Sequence, residues 1–380
     1  MIDPTLFAEV KKKVGVFHKQ NRNWHRNITR HDHEDFEPRI FYDWCRFTNA
    51  VRRRVGLNAK RKFKYTRMPR SYPPVDLYHH WRTVDFGSTP WVVSTSTGLP
   101  FGWPGCAYRE GLKLLASKAC MRILVTGRCA REWQRSKAED EPDLEPEILR
   151  KVEVLPPAQE RLVSSWANKP IDLDGPLRLI FVGGTFFRKG GWELLQVVRQ
   201  LRSEGANIRL DVVSSLGRWH QMTDEEQDPD EARRLMEEAD AITWHGRLPN
   251  SEVLELFKRS HIGLLPSYIE TYGYTVLEAQ AAGCPTITTD IKAFPDINPD
   301  EVGWRIGIDG DDYDFRSEEG RAHISERIER GLYRTLRTIL DDRSVIRRKG
   351  TAALERIAEE HAPARHRTRL REIYWEALNN

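Results

Sequence analysis

Two short segments in the second half of the chain carry residue types that bind phosphorylated ligands. The first is VGGTFFRKGG, residues 182–191, where Gly183 and Gly184 permit close backbone approach and Arg188 and Lys189 supply two positive charges. Cations at a helix start oppose the helix dipole, and a bound anion resolves that conflict. The alternative is an ordinary glycine turn with two exposed basic residues. The spacing matches neither a P-loop nor G-x-G-x-x-G, which disfavours a simple NTPase or dehydrogenase.

The second segment runs from Ser267 to Pro285 and contains two carboxylates, Glu270 and Glu278. Carboxylate oxygens accept hydrogen bonds from sugar hydroxyls, often in pairs. Backbone amides at the start of the following helix suit a phosphate, and they belong to Gly273, Tyr274, Thr275 and Val276. The alternative is that both acids are merely solvated. It is weaker for Glu278, because apolar residues surround that position.

The elements around these segments predict a parallel, doubly wound sheet. Apolar runs of strand length alternate with amphipathic helical stretches, and such alternation indicates βαβ units. In these sheets the ligand lies beyond the carboxyl ends of the strands, where both segments fall. Strands are predicted at 90–97, 121–127, 151–157, 177–182, 208–214, 241–246, 262–266 and 285–290. The first 70 residues show no clean strand period.

Composition bounds the class of protein. A length of 380 residues with 39% hydrophobic content predicts two or three domains with real cores. No run of 18 apolar residues occurs, and the first residues lack the apolar core of a signal peptide, so we expect a cytoplasmic protein. Five scattered cysteines without a C-x-x-C pair argue against a disulfide framework or a zinc site.

The positive charge is concentrated in residues 1–70, which carry 18 Lys and Arg against 7 Asp and Glu, whereas the whole chain has a net charge of +4. Trp24, Phe41 and Trp44 lie among these basic residues. This pattern predicts peripheral contact with an anionic membrane surface, with a plain solvated basic face as the alternative. A nucleic-acid partner is disfavoured, because no binding motif accompanies the charge.

Residues 177–307 resemble the donor domain of retaining glycosyltransferase family 4, the group 1 glycosyltransferases. Its E-x7-E signature corresponds to Glu270 through Glu278, and its glycine-plus-basic loop to Val182 through Gly190. Further matches at the expected distances are His245-Gly246, Leu265-Pro-Ser267 and Gly303-Trp304. The resemblance implies an α/β GT-B fold, with two Rossmann-like domains facing across a cleft. It further implies an acceptor-side domain of residues 1–165 with a C-terminal helix crossing back to it (362–380), and a donor domain of 170–361.

The resemblance also implies roles. Arg188 and Lys189 are expected to hold the diphosphate and stabilise its departing charge, and Glu270 to contact the transferred sugar, which makes these three the expected catalytic residues. Glu278 is expected to accept hydrogen bonds from the ribose. Gly183, Gly184 and the amides of residues 273–276 complete the expected donor site. Neither a cofactor nor a metal is expected. The resemblance also implies a histidine near the end of strand 90–97, where many members of the family carry one. This chain has Ser94 to Thr97 there instead, so the acceptor-side residues stay unassigned.

The predicted function is therefore transfer of a sugar from a nucleotide-sugar, with a UDP-sugar favoured, to a glycan or lipid-linked acceptor. Retention of configuration and a place in cell-surface or exopolysaccharide biosynthesis are implied by the resemblance alone. A GT-B sugar-nucleotide epimerase is one alternative. A non-catalytic sugar-nucleotide-binding subunit is another, kept open by the atypical N-terminal half.

Overall fold

The computed structural model describes residues 11–18, 27–28, 34–42, 51–52, 54–57, 66–67, 73–101, 107–308 and 313–379. The chain divides into two units: a first unit of residues 1–158 and 361–380, and a second unit of residues 159–360. Each unit is built on a six-stranded sheet, and every strand pair in the described residues is parallel.

The sheet of the first unit has the order β2-β1-β4-β6-β7-β8, and β3 pairs separately with β5. The strands are β1 (Lys12–His18), β2 (Phe36–Tyr42), β3 (Thr66–Arg67), β4 (Leu77–Trp81), β5 (Val84–Asp85), β6 (Trp91–Thr95), β7 (Cys120–Val125) and β8 (Val152–Val154). Its helices before the second unit are α1 (Ala107–Ala116), α2 (Arg128–Ala138) and α3 (Glu145–Lys151). The central strand β6 is buried along its whole length, as expected for a strand covered on both faces.

The second unit has the strand order β11-β10-β9-β12-β13-β14. Its strands are β9 (Leu177–Val182), β10 (Ile208–Val213), β11 (Ile242–Trp244), β12 (Ile262–Leu265), β13 (Thr286–Thr289) and β14 (Gly303–Ile306). Its helices are α4 (Gly191–Ser203), α5 (Pro229–Glu237), α6 (Asn250–Arg259), α7 (Tyr274–Ala281), α8 (Phe294–Ile297), α9 (Glu318–Asp341) and α10 (Ser344–Glu360). This is the Rossmann order, in which the chain reverses direction across the sheet between its first and fourth strands, here β9 and β12.

Helix α4 shows why this part of the chain folds as it does. Leu194, Leu195, Val198 and Leu201 recur at helical spacing and are all buried in the core of the second unit. Gly205, with φ of 88°, follows the helix and supplies the left-handed residue with which helices commonly end. The helix is thereby fixed against the sheet with its first turn at the end of β9.

The last helix, α11 (Pro363–Asn379), returns to the first unit. Its residues Leu370, Ile373 and Tyr374 are buried in one apolar cluster with Val14 of β1 and Leu124 of β7. The helix thus covers a face of the sheet whose strands lie more than two hundred residues earlier in the chain. This return is the one that the family resemblance implied.

The observed architecture confirms the predicted fold class. Strands β6 to β13 fall within the predicted ranges or one residue outside them, whereas β1 to β5 and β14 were not predicted. Of the aromatic residues predicted for a basic surface, Trp24 and Trp44 lie outside the described residues, and Phe41 packs against the core with its ring 6.4 Å from that of Tyr78. Within the part of the chain that the structure describes, no helix has both the length and the apolar character to cross a bilayer.

Candidate functional site

The two predicted segments follow the two strands at which the sheet order of the second unit reverses. β9 leads into the glycine loop and β12 into the segment that carries Glu270. Ligands of open α/β sheets bind at this reversal, beyond the carboxyl ends of the strands. The topology therefore places both segments at the position where a doubly wound sheet binds its ligand.

Gly190 brings the two segments into direct contact. Its φ is 72°, and a Cβ atom built on it would lie 2.1 Å from the carbonyl oxygen of Pro266, which directly follows β12. Only a residue without a side chain permits this approach. A short 3₁₀ turn, Phe187–Lys189, precedes Gly190 and points the two basic residues back toward the second segment.

Lys189 and Glu270 form an ion pair, although 81 positions separate them in the chain. The Lys189 side chain is 10% exposed and that of Glu270 16% exposed. Burial, and secondly the neighbouring Arg188 guanidinium, lower the pKa of Lys189 well below its ordinary value. A buried ammonium group is costly unless a negative charge compensates it, and the Glu270 carboxylate supplies that charge.

Arg188 lies beside this pair and is half-buried. Its Nη1 donates to the carbonyl oxygen of Ile269 at 3.2 Å, and burial lowers the pKa of the guanidinium. The site thus holds two cations and one carboxylate at the start of α4, where the helix dipole already favours an anion. The local charge remains positive by one, which suits a phosphorylated ligand.

The remaining predicted glycines lie along the first loop. A Cβ atom on Gly183 would come within 3.0 Å of the Lys189 side chain, so this glycine makes room for the buried lysine. Gly184 is exposed, with open space around it, and its carbonyl oxygen accepts a hydrogen bond from the Ser215 hydroxyl at 2.8 Å. The structure therefore gives Gly183 a packing role and leaves the surface of Gly184 accessible.

Gly273 begins the helix that carries Glu278. Its φ is 91°, and an added Cβ would lie 2.5 Å from the Phe294 ring. No side chain caps the start of α7. Tyr274 and Thr275 open the helix and are half-buried, while the Val276 amide donates to the Gly273 carbonyl oxygen at 2.9 Å and is thus engaged within the turn.

Glu278 lies in the second turn of α7 and is 9% exposed. Its Oε1 accepts a hydrogen bond from the Asn250 side-chain amide at 3.4 Å. Asn250 opens α6, so the contact joins the starts of two helices at this edge of the sheet. A buried carboxylate that is oriented by an amide is well prepared to accept hydrogen bonds from a ligand's hydroxyl groups.

The sequence reasoning missed Glu193 and Tyr268. Glu193 lies in the first turn of α4, is 3% exposed, and accepts hydrogen bonds from the Tyr268 hydroxyl at 2.5 Å and the Ser325 hydroxyl at 2.8 Å. Burial raises the pKa of Glu193 to about 7. An acidic residue next to the buried face of an apolar helix was the available signal, since such a residue needs partners inside the protein.

In the first unit, the segment from Ser94 to Thr97 is also buried. Ser94 of that segment bonds the Nε2 of His79, whose Nδ1 contacts the Tyr374 hydroxyl at 2.7 Å. The neighbouring His80 pairs with Asp85 at 2.9 Å, and both side chains are fully buried. Among the described residues, no group of three or more His, Cys, Asp or Glu is arranged to hold a metal ion.

Residues 166–313 match the family model of glycosyl transferases group 1. The glycogen synthase of Mycobacterium tuberculosis is 26% identical over 188 residues, which cover 49% of this chain and 39% of that protein. The chain therefore spans about two fifths of the length of this curated relative. The region that matches the family model, residues 166–313, contains both loops of the site.

Solved structures align with almost the entire chain. A glycosyltransferase from Rickettsia africae superposes with a TM-score of 0.60 at 14% identity, over 97% of this chain and 99% of that one. HepE of Anabaena, solved in complex with UDP and glucose, superposes with a TM-score of 0.56 at 10% identity, over 95% and 98%. The fold is GT-B. At these identities the likeness establishes the fold alone, and the similarity to glycosyl transferases group 1 rests on the family model matched by residues 166–313.

Proposed function

We propose that this GT-B protein is a glycosyltransferase that moves a sugar from a nucleotide-sugar, a UDP-sugar in the first instance, to a glycan or lipid-linked acceptor. The observation that carries the proposal is the contact between Lys189 and Glu270 at the point where the sheet order reverses. It joins a cation suited to a diphosphate with a carboxylate suited to sugar hydroxyls. A nucleotide-sugar carries a diphosphate and sugar hydroxyl groups close to each other.

The roles of the basic residues follow from the leaving group of the reaction, which is a nucleoside diphosphate. When the bond between the anomeric carbon and the diphosphate breaks, negative charge accumulates on the departing phosphate oxygens. Arg188 and Lys189 stabilise that charge, and preorganised cations in a site with little water do so effectively. Bound diphosphate also relieves the cost of burying Lys189, because it adds a second negative neighbour to the ammonium group.

The sugar and the ribose are held by the two carboxylates in this proposal. Glu270 contacts hydroxyls of the transferred sugar, which places the anomeric carbon beside the basic residues. Glu278 accepts hydrogen bonds from the ribose, and the amides of Gly273, Tyr274 and Thr275 face the phosphates, whereas the Val276 amide is engaged within the turn. Residues 170–361 form the donor domain, and residues 1–165 with 362–380 receive the acceptor.

Retention of configuration, metal independence and a role in cell-surface or exopolysaccharide biosynthesis belong to the proposal as well. They rest on the resemblance to family 4. Of the solved structures, HepE in complex with UDP and glucose favours UDP as the nucleotide. An anomeric assignment of the product by NMR tests retention, and activity after dialysis against EDTA tests metal independence.

The deciding experiment incubates the full chain with a panel of sugar nucleotides and measures release of nucleoside diphosphate, with and without glycan and lipid-linked acceptors. Transfer from one donor, strongest with a UDP-sugar, is the expected result. Conversion of the donor into an isomeric sugar nucleotide would instead show an epimerase. Tight UDP binding without any turnover would show a non-catalytic binding subunit.

A further inference from the structure

Tyr268 lies between β12 and Glu270 and is held from three directions. Its amide donates to the carbonyl oxygen of Arg188 at 3.1 Å. Its carbonyl oxygen accepts a hydrogen bond from the Tyr313 hydroxyl at 2.5 Å, and its own hydroxyl donates to Glu193 at 2.5 Å. The side chain is 2% exposed. The residue is therefore a junction between the basic turn and the segment that carries Glu270.

Glu193 is the partner that fixes the far end of the Tyr268 side chain. Its Oε1 accepts from both the Tyr268 hydroxyl and the Ser325 hydroxyl of α9. Three elements thus meet at one carboxyl oxygen: α4, which begins at the basic turn, the segment after β12, and α9. Hydrogen bonds to a buried carboxyl group are short and strongly oriented, so they define positions well.

A buried acid in this place requires a reason, because an apolar residue would cost the fold less. Burial raises the pKa of Glu193 to about 7, and the negative charge of Glu329 adds to the effect, so the group is expensive to ionise. The charged residues that line the adjoining cavity with Glu193 are mainly acidic, with one arginine: Glu225, Glu226, Asp228, Glu318 and Arg321. The side-chain hydrogen bonds that Glu193 accepts come from Tyr268 and Ser325, and the one from Tyr268 leads to the segment that carries Glu270.

We propose that Glu193 is a positioning residue of the donor site: through Tyr268 it sets the distance between the Arg188–Lys189 turn and Glu270. The inference rests on the proposed function, in which both groups act on the same nucleotide-sugar. Glu193 itself touches no substrate. Without its bond to Tyr268, the segment is held to the turn mainly by the Lys189–Glu270 pair, the Arg188–Ile269 contact and the Tyr268 amide bond.

Two variants break the link from opposite ends. Tyr268→Phe removes one oxygen atom and leaves the ring in place, and Glu193→Leu removes the acceptor. Glu193→Gln keeps an acceptor oxygen and is the conservative variant expected to restore function. Tyr333→Phe is the matched control, because it removes another Tyr–Glu hydrogen bond, from the Tyr333 hydroxyl to Glu204 at 3.0 Å, that involves neither Glu193 nor Tyr268.

The first measurement is hydrogen exchange of residues 266–273 in the full chain without substrate. Tyr268→Phe and Glu193→Leu are expected to exchange about tenfold faster than wild type in this segment, which corresponds to one lost hydrogen bond. Glu193→Gln and Tyr333→Phe are expected to exchange at nearly the wild-type rate. The Tyr268→Phe variant keeps the measurement decisive if Glu193→Leu fails to fold. Unchanged exchange in Tyr268→Phe overturns the inference.

The second measurement is turnover of the donor found in the panel. A small displacement of Glu270 from the basic turn should lower kcat about tenfold to a hundredfold while UDP affinity changes little. The double variant Glu193→Leu/Tyr268→Phe should be no worse than the more impaired single variant, since both break one link. Faster exchange with unchanged kcat overturns the positioning role. If wild type turns over no sugar nucleotide, the proposed function fails while the exchange experiment still decides whether Glu193 holds the segment.

Discussion

Lys189 presents the energetic problem of the site at the scale of one residue: an ammonium group with 10% exposure whose carboxylate partner is Glu270. Replacing Arg188 and Lys189 together by Ala should lower kcat about a hundredfold or more, because both act on charge that grows as the bond breaks. Donor turnover measures the effect. The matched control is Arg209→Ala, an exposed arginine on β10. A double variant that turns over donor at nearly the wild-type rate would mean that the diphosphate binds elsewhere.

Glu278 tests the nucleotide part of the site. Glu278→Ala should weaken UDP binding by roughly 1–3 kcal/mol, since hydrogen bonds from the ribose to a charged acceptor are lost. Isothermal titration calorimetry measures this directly. Glu252→Ala, an exposed acid on α6, controls for the loss of one negative charge in the same region. UDP affinity equal to that of wild type would refute the ribose contact.

Glu193 makes stability depend on pH. Its pKa in the folded chain, about 7, lies above the ordinary 4.5, so its protonated form stabilises the fold and this contribution is lost as pH rises from about 4.5 to about 7. Glu193→Gln cannot ionise. Its stability relative to wild type should therefore increase across this interval by roughly 3 kcal/mol.

Urea unfolding of both proteins at pH 4.5, 6 and 8 measures the difference. Glu225→Gln, a change of an exposed acid at the same cavity of about 280 Å³, is measured alongside as the control for replacing a carboxyl group in this region. A flat difference for Glu193→Gln would mean that Glu193 ionises with an ordinary pKa.

At the scale of elements, the meeting of the two loops depends on Gly190. Gly190→Ala must accommodate both a φ of 72° and a Cβ atom 2.1 Å from the Pro266 carbonyl oxygen. We expect a loss of roughly 3 kcal/mol or more in unfolding free energy, because backbone must move to relieve the overlap. Gly205→Ala has a similar φ of 88° but open space around it, and should lose only about 1 kcal/mol. Equal losses in the two variants would show that the contact with Pro266 is unimportant.

Strands β9 and β12 of the second unit were predictable because they are largely apolar runs. β12 is buried at every position and β9 at every position except Arg178 and Val182, and such strands are recognisable without knowing their neighbours. β4 was not predictable, since it reads LYHHW and its two histidines appear unsuited to a core. Their partners Ser94, Tyr374 and Asp85 are brought to them by the fold.

The candidate site also has features that were predictable from the sequence and features that depend on the fold. Residue type and local spacing were sufficient to select Arg188, Lys189 and Glu270. Their mutual contact was not predictable, because it depends on β9 and β12 being adjacent in the sheet. Glu193 and Tyr268 were missed for the same reason: 75 positions separate them, and neither matches a motif.

At the scale of the whole molecule, the uneven charge predicts a partner. Residues 1–70 carry a net charge of +11, and we expect the protein to sediment with anionic but not neutral vesicles at low salt, and to be released at high salt. Phe41 packs against the core, so we do not expect its ring to contribute to this binding. Neutral vesicles and high salt serve as controls. Absence of binding to anionic vesicles at low ionic strength would favour a soluble acceptor.

The return of α11 to the first unit determines the order in which the two units can complete their folding during translation. Strands β1 to β8 emerge first, but the apolar face that Leu370, Ile373 and Tyr374 cover remains open until residues 159–360 have been translated. At 5–20 residues per second this delay lasts roughly 10–40 s. The second unit is continuous in the chain and can fold during this interval. The first unit, whose strands are synthesised before the second unit, is therefore completed after it, and chaperones have a long opportunity to act on its uncovered sheet.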